Sequence, residues 1–423
     1  MNLRLSRETS TRRREIVSWI VYDIGNTLFF VGIVGLFFPL WITKEKAGDD
    51  AVLGFTLAAA MVLSLITAPF IGALSDYVGR KVPFVAGGTL ICVLALIMLD
   101  TGSLTLTLIY FALAVIGITT ADIFYNALLF DVSTDSNRGF IGGLGVGVGY
   151  LGAIIAAAVG LILVESQGYV FAFRVVSLLI LLVSLPLIFL IKDRGRPSQF
   201  TQEPAKAKLN LKLLADSLRL IRSVPGLSKF LLGRFWYTWT VNTGGTFAVL
   251  YGTTTGGFTA REVQIVLLIG IIVAIPSGLI WGKIVDKTGP YRTMKIVLTG
   301  WLVLLLLAIG IPVIALPPFL WLVLAIAAGV LVPGVWVSDR PFMLQLTPPG
   351  HMGEAFALHS MMSRLSSIVG PFMWGLVSVT LGLGQIPAVA VLAICMTIAF
   401  ALIIRIPENT GTKGFEAISR DAN

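Results

Sequence analysis

The chain has 423 residues, 56% of them hydrophobic and 13% charged, with a formal net charge of +9. An average soluble domain has about a quarter of its residues charged, so a mean hydropathy of +0.91 excludes a single water-soluble core. Cys92, Cys395, His351 and His359 are the only cysteines and histidines, and their spacing matches neither a disulfide framework nor a metal motif.

The apolar residues fall in runs of about 20, the length a helix needs to cross roughly 30 Å of hydrocarbon. Six runs lie near 17–41, 53–74, 83–100, 104–130, 140–164 and 171–191. Six more lie near 230–251, 262–282, 293–315, 318–343, 354–380 and 386–405. The expected fold class is therefore an all-α integral membrane protein with twelve transmembrane helices in two six-helix bundles. The expected domains are an N-terminal bundle over 1–191, a cytoplasmic linker with an amphipathic helix over 192–229, and a C-terminal bundle with a cytoplasmic tail over 230–423.

Basic residues set the orientation. They cluster at Arg12–Arg14, at Arg80 and Lys81, at Arg138, through 192–229, at Lys283, Lys287, Arg292 and Lys295, and from Arg405 onward. These are the two tails and the loops after even-numbered spans, so both termini are expected in the cytoplasm. The positive charge then reflects topology and attraction to anionic lipid, not nucleic-acid binding. In the linker, "LKLLADSLRLIRS" at 211–223 places leucines on one side and charges on the other, as an interfacial helix or a linker helix packed on the protein does.

The two halves repeat. Gly72, Asp76 and Gly79 correspond to Gly282, Asp286 and Gly289 at a constant offset of 210, and Asn26-Thr27 corresponds to Asn242-Thr243. Internal duplication is a signature of secondary transporters. "GALSDYVGRK" at 72–81 resembles the loop signature of the major facilitator superfamily between spans two and three. It is matched at Gly72, Asp76, Gly79, Arg80 and Lys81. "SWIVYDIGNTLFF", "FYNALLFDV" and "GHMGEAFALHSMMSRLSSIVGP" are similar to the branch that includes the autophagy-related vacuolar amino-acid effluxer and its prokaryotic relatives. Two positions depart from that branch: Ile24 stands where it usually has Trp, and "VSDRPFM" at 337–343 carries an additional acid, Asp339.

Asp23 and Asn26 interrupt the first apolar run. Residues three or four apart share one side of a helix, and ionisable groups within spans face the bundle interior or an aqueous cavity. The resemblance implies a major-facilitator fold with spans one, four, seven and ten around a central cavity. The expected substrate-binding residues are Tyr22, Asp23, Asn26, Asp122, Asn126, Tyr237, Thr238, Asn242 and Arg364. The expected gating residues are Gly72, Asp76, Gly79, Arg80, Lys81, Asp286, Arg234, Asp339 and Arg340. The glycine ladder of span five, from Gly142 to Gly152, permits close helix contact.

No enzymatic motif, Walker-type phosphate loop or cofactor signature is present, so the energy source is expected to be a gradient. A carboxylate in a low-dielectric cavity has its protonated form favoured, and Asp23 or Asp122 is expected to carry a coupling proton. The expected function is secondary active transport of a small solute by alternating access, with an amino acid or similar zwitterion first. A lipid or lysolipid flippase on the same scaffold is the alternative. The expected partners are this small-molecule substrate, a proton and membrane lipid, with no nucleic acid, and the unit is expected to be a monomer in a prokaryotic plasma membrane.

Overall fold

A computed structural model describes residues 2–100, 102–134, 138–192, 226–347 and 352–407. The amphipathic segment expected at 211–223 and His351 lie outside the described residues. Among the described residues there are helices and short connections but no strand. In lipid this is the expected solution, since a helix satisfies its own backbone groups.

The first span is α1 (Asn2–Thr27) running into α2 (Phe38–Glu45) through a π-helical stretch at Leu28–Phe37. The next four are α3 (Asp50–Val78), α4 (Val82–Ile97), α5 (Leu104–Val132) and α6 (Arg138–Val159). α7 (Glu165–Leu190) follows. The second series is α8 (Leu227–Leu250), α9 (Ala260–Thr288), α10 (Pro290–Val313), α11 (Leu320–Leu346), α12 (Met352–Gly375) and α13 (Gln385–Ile404). The twelve apolar runs thus correspond to twelve helical spans among the described residues. α3 overruns its apolar run at both ends because caps, not hydropathy, end it. Asp49 accepts from the Val52 N–H at 2.8 Å and starts α3, while Gly79 ends it in the left-handed region at φ 68°.

The chain divides into two compact units, Met1–Ala207 with Ala260–Ile265, and Lys208–Thr259 with Val266–Asn423. In the first, α1 packs on α6 and α7, and α4 packs on α5 and α7. In the second, α8 packs on α12 and α13, and α10 packs on α11 and α13. These are the same pairings, span for span. Spans one, five, seven and eleven each carry a π-helical stretch, at Leu28–Phe37, Gly160–Val164, Tyr251–Thr255 and Leu376–Thr380. They too are repeat partners. Such stretches are rare and concentrate at functional sites.

The repeated Asn-Thr pair has a packing role in both units. Thr27 lies against Gly149 and Gly152 of α6, where an added Cβ would also strike the Asp23 carboxylate and the Ile24 carbonyl. Thr243 lies against Gly370 of α12, beside Trp239. Part of the span-five ladder (Gly145, Gly149 and Gly152) is therefore the seam with α1, whereas Gly143 and Gly147 face open space. Cys92 and Cys395 are buried and free.

Candidate functional site

Each unit holds one polar cluster inside its spans. In the first unit, α1 and α5 bring together Asp23, Asn26 and Asp122. The Asn26 amide donates from Nδ2 to Asp122 Oδ1 at 3.2 Å. Asn26 is buried, and its Oδ1 accepts no hydrogen bond. Asp23 and Asp122 are half-buried. Tyr125 lies close to both carboxylates. Asn126 is exposed, and its side chain donates to the Asp122 backbone carbonyl at 2.8 Å.

An aromatic frame fixes this cluster. Trp19 stacks on Tyr125 with centroids 4.6 Å apart, and its indole N–H donates to the Tyr125 carbonyl at 2.8 Å. Tyr22 is buried, packs 4.9 Å from Tyr125, and its hydroxyl meets Thr89 Oγ1 at 2.9 Å. Tyr22 thus anchors α1 to α4. Trp19, Thr89 and Tyr125 were not among the expected site residues, although Trp19 and Tyr125 lie inside the motifs that carry the family resemblance.

In the second unit, α8, α11 and α12 assemble a buried ion cluster. Arg234 Nε donates to Asp339 Oδ1 and Oδ2, each at 3.2 Å, and Nη2 lies 3.1 Å from Oδ2. Its Nη1 donates to the His359 carbonyl at 2.7 Å. Asp339 also accepts from the Tyr237 hydroxyl at 2.6 Å and meets His359 Nε2 at 2.9 Å. Arg234 is 4% exposed and Asp339 2%. Burial of these charges would cost several kcal/mol per ion without such pairing. Thr238 is buried and bonds back to the Arg234 carbonyl, so it supports the turn that carries the arginine.

The other expected residues are dispersed. Arg340 is exposed, while Asn242 and Arg364 are half-buried. His359 was visible in sequence, but nothing there joined it to Asp339, twenty positions earlier.

The loop after α3 is built around Gly79, whose N–H donates to the Ser75 carbonyl at 2.8 Å, while Ser75 Oγ donates to the Arg80 carbonyl at 3.0 Å. Gly72 would meet nothing within 4 Å if a Cβ were added. Arg80 and Asp286 are exposed, and the Asp76 side chain lies outside the described residues. Lys81 reaches α5, with Nζ 2.8 Å from Asp131 Oδ2. That pair is partly solvated, with side chains 33% and 22% exposed. Such pairs contribute about 0.2–1 kcal/mol. Lys81→Gln should thus lower the melting midpoint in detergent only slightly, and Asp131→Asn should add little in that background. Strict additivity of the two changes would show that the pair is uncoupled.

These observations define an all-helical, internally duplicated membrane protein with ionisable groups held inside its spans, the build of a secondary transporter. The chain belongs to the Major Facilitator Superfamily, whose model matches residues 25–371 and 257–418. It is 27% identical over 417 residues to the uncharacterised MFS-type transporter YxiO of Bacillus subtilis (strain 168), covering 93% of this chain and 95% of that protein. It is 24% identical over 300 residues to Autophagy-related protein 22-1 of Aspergillus niger, covering 66% of this chain and 48% of that protein. Among solved structures, a D-xylose-proton symporter superposes with a TM-score of 0.70 at 13% identity, covering 96% of this chain and 99% of that one. The protein is accordingly a multi-pass membrane transporter and not an enzyme.

Proposed function

We propose that this transporter moves a small solute with a cationic nitrogen, an amino acid or similar zwitterion, by alternating access driven by a proton gradient. The carrying observation is the acceptor-rich cluster of the first unit. Asn26 spends its amide N–H on Asp122, and its buried Oδ1 is left with no donor. A buried acceptor without a partner costs about 1–3 kcal/mol, and an ammonium group has three N–H to offer. Asp23 and Asp122 are half-buried carboxylates of the same cluster. A proton on either carboxylate would cancel one charge, which links occupancy to the proton gradient. The description of one structural neighbour as a proton symporter supports the coupling, and the similarity to an autophagy-related protein accords with the substrate class that the sequence motifs imply. The setting belongs to the same proposal: a monomer in a prokaryotic plasma membrane, with both termini and 192–229 on the cytoplasmic side.

Asp23→Asn tests this reading, because asparagine keeps the size and removes charge and titration. Folding should be spared and gradient-driven transport of labelled amino acids into proteoliposomes lost, with Asp122→Asn as the parallel. Solute exchange without a proton gradient separates the roles: a proton carrier still exchanges as Asn, whereas a lost solute contact weakens binding and exchange together. Unchanged concentrative transport and pH dependence in both variants would refute the proposal. Transport of labelled lysolipid in place of amino acids would favour a flippase.

A further inference from the structure

The proposed zwitterion has an anionic group as well, and its receptor is not obvious. Arg234, which the sequence placed among the gating residues, is already committed in the structure. All three of its guanidinium nitrogens are engaged, to Asp339 and the His359 carbonyl, and it is 4% exposed. Arg340 and Arg174 are exposed.

Arg364 differs from all of these. It lies twelve residues into α12, which begins at Met352. At about 1.5 Å per residue that is about 18 Å, near the middle of a hydrocarbon layer of roughly 30 Å. It is half-buried, and among the described residues no hydrogen bond, ion pair or ring contact reaches it. An arginine at that depth is expensive unless it is paired or faces water.

Its level in the second unit is set by two contacts. The His359 carbonyl meets Arg234, and Gly370 lies against Thr243 and Trp239. Arg364 falls between them along α12, at the level of the stacked Trp236 and Trp239, whose centroids are 5.3 Å apart. Helical spacing puts Ser360 and Ser367 on the same side as Arg364, and neither hydroxyl-bearing residue is buried. The side that faces α8 is instead His359, Ser366 and Gly370, all buried. The Arg364 face is thus a polar stripe at mid-span, bearing a cation and two serines, with no protein anion paired to it among the described residues.

We propose that Arg364, supported by Ser360, is an anion subsite that takes the carboxylate of the transported solute; the Ser367 hydroxyl is spent on the Ser363 carbonyl at 3.0 Å. Guanidinium and carboxylate match as two parallel N–H···O bonds, which favours Arg over Lys at such a site. The inference rests on the zwitterion reading above.

The test uses purified full-length protein and three probes that share one side chain: L-leucine, leucinamide, which keeps only the cation, and 4-methylpentanoate, which keeps only the anion. Binding is read by thermal shift and titration calorimetry for the wild type, Arg364→Gln and Arg364→Lys. The ligand-free midpoints of both variants should stay near the wild type, since no protein partner is lost. Arg364→Gln should abolish the shift with 4-methylpentanoate and weaken leucine about 10–100-fold, as expected for a lost charge-assisted bond. Leucinamide should bind as before, and Arg364→Lys should recover part of the carboxylate response. Carboxylate-dependent binding that survives Arg364→Gln would overturn the assignment, as would a wild type that binds leucinamide but neither carboxylate. The second outcome leaves the ammonium cluster standing. Failure of leucinamide alone would instead count against that cluster and leave Arg364 intact.

Discussion

Asp339→Asn should destabilise the second unit by about 3–5 kcal/mol, the loss expected when one member of a buried ion pair is removed. The reason is geometric. Asp339 accepts from Arg234, Tyr237 and His359 together, at 2.6–3.2 Å. Asparagine offers one acceptor oxygen and no charge, so Arg234 remains a buried cation with only the His359 carbonyl and a neutral amide near it. The loss should appear as a lower melting midpoint in detergent and reduced monodisperse yield. Arg234→Met with Asp339→Leu should recover most of it, since replacing a whole buried pair by apolar groups is often neutral or stabilising by about 1–4 kcal/mol. His359→Gln should cost less, because a glutamine amide can still donate to Asp339. A double variant no more stable than Asp339→Asn alone would show that the cluster is not held together by that pair. Transport by the recovered double variant then decides whether the cluster serves more than folding: retained transport makes it structural, and lost transport places it in the cycle.

Gly117→Ala should be a strongly damaging single methyl in the first unit. The crossing of α4 and α5 is built on Gly88 and Gly117. A Cβ on Gly88 would sit 2.5 Å from the Gly117 carbonyl oxygen and 2.9 Å from the Ala121 nitrogen. A Cβ on Gly117 would sit 2.6 Å from the Gly88 carbonyl oxygen and 2.8 Å from the Cys92 nitrogen. These neighbours are backbone, so no rotamer change relieves the clash and the helices must part. Overpacking of this kind costs about 1–3 kcal/mol, and either substitution should lower the melting midpoint. Gly72→Ala is the control. It meets nothing within 4 Å and gains up to about 1 kcal/mol of helix propensity, so it should fold at least as well as the wild type. Equal melting of Gly117→Ala and wild type would show that the crossing is looser than the contact implies. If Gly72→Ala folds normally but transports poorly, its place in the loop motif reflects the transport cycle and not packing.

The contrast between Gly72 and Gly117 separates what each level of description shows. Gly72 stood out in sequence because it recurs at Gly282 in a recognisable motif, and Gly117 belongs to none. Only the approach of two backbones, 29 positions apart in the chain, makes Gly117 indispensable. The twelve spans needed no tertiary information, because hydrocarbon imposes length and composition on every crossing helix independently. The duplication was legible for the same reason: corresponding loops and spans meet the same membrane environment, and the helix pairings repeat accordingly. The π-helical stretches that repeat in spans one, five, seven and eleven left no apolar signature, since they change the hydrogen-bonding step and not the hydropathy.

The polar residues divide along the same line. Their presence inside spans announced a site, because a charge in hydrocarbon needs a reason to be there. The sequence by itself therefore marked Asp23, Asp122, Arg234, Asp339 and Arg364 as residues whose place inside spans needs an explanation. Which of them pair was decided by the fold alone. Arg234 and Asp339 are 105 positions apart and bind each other, whereas Arg340, one residue on, is exposed. A one-residue step turns a helical side chain by about 100°, enough to move it out of a buried cluster. Asn26 reached Asp122, and Arg364 reached no partner among the described residues, for the same physical reason: direction around a helix axis and the neighbour it meets are properties of packing, and packing is not written at any single position.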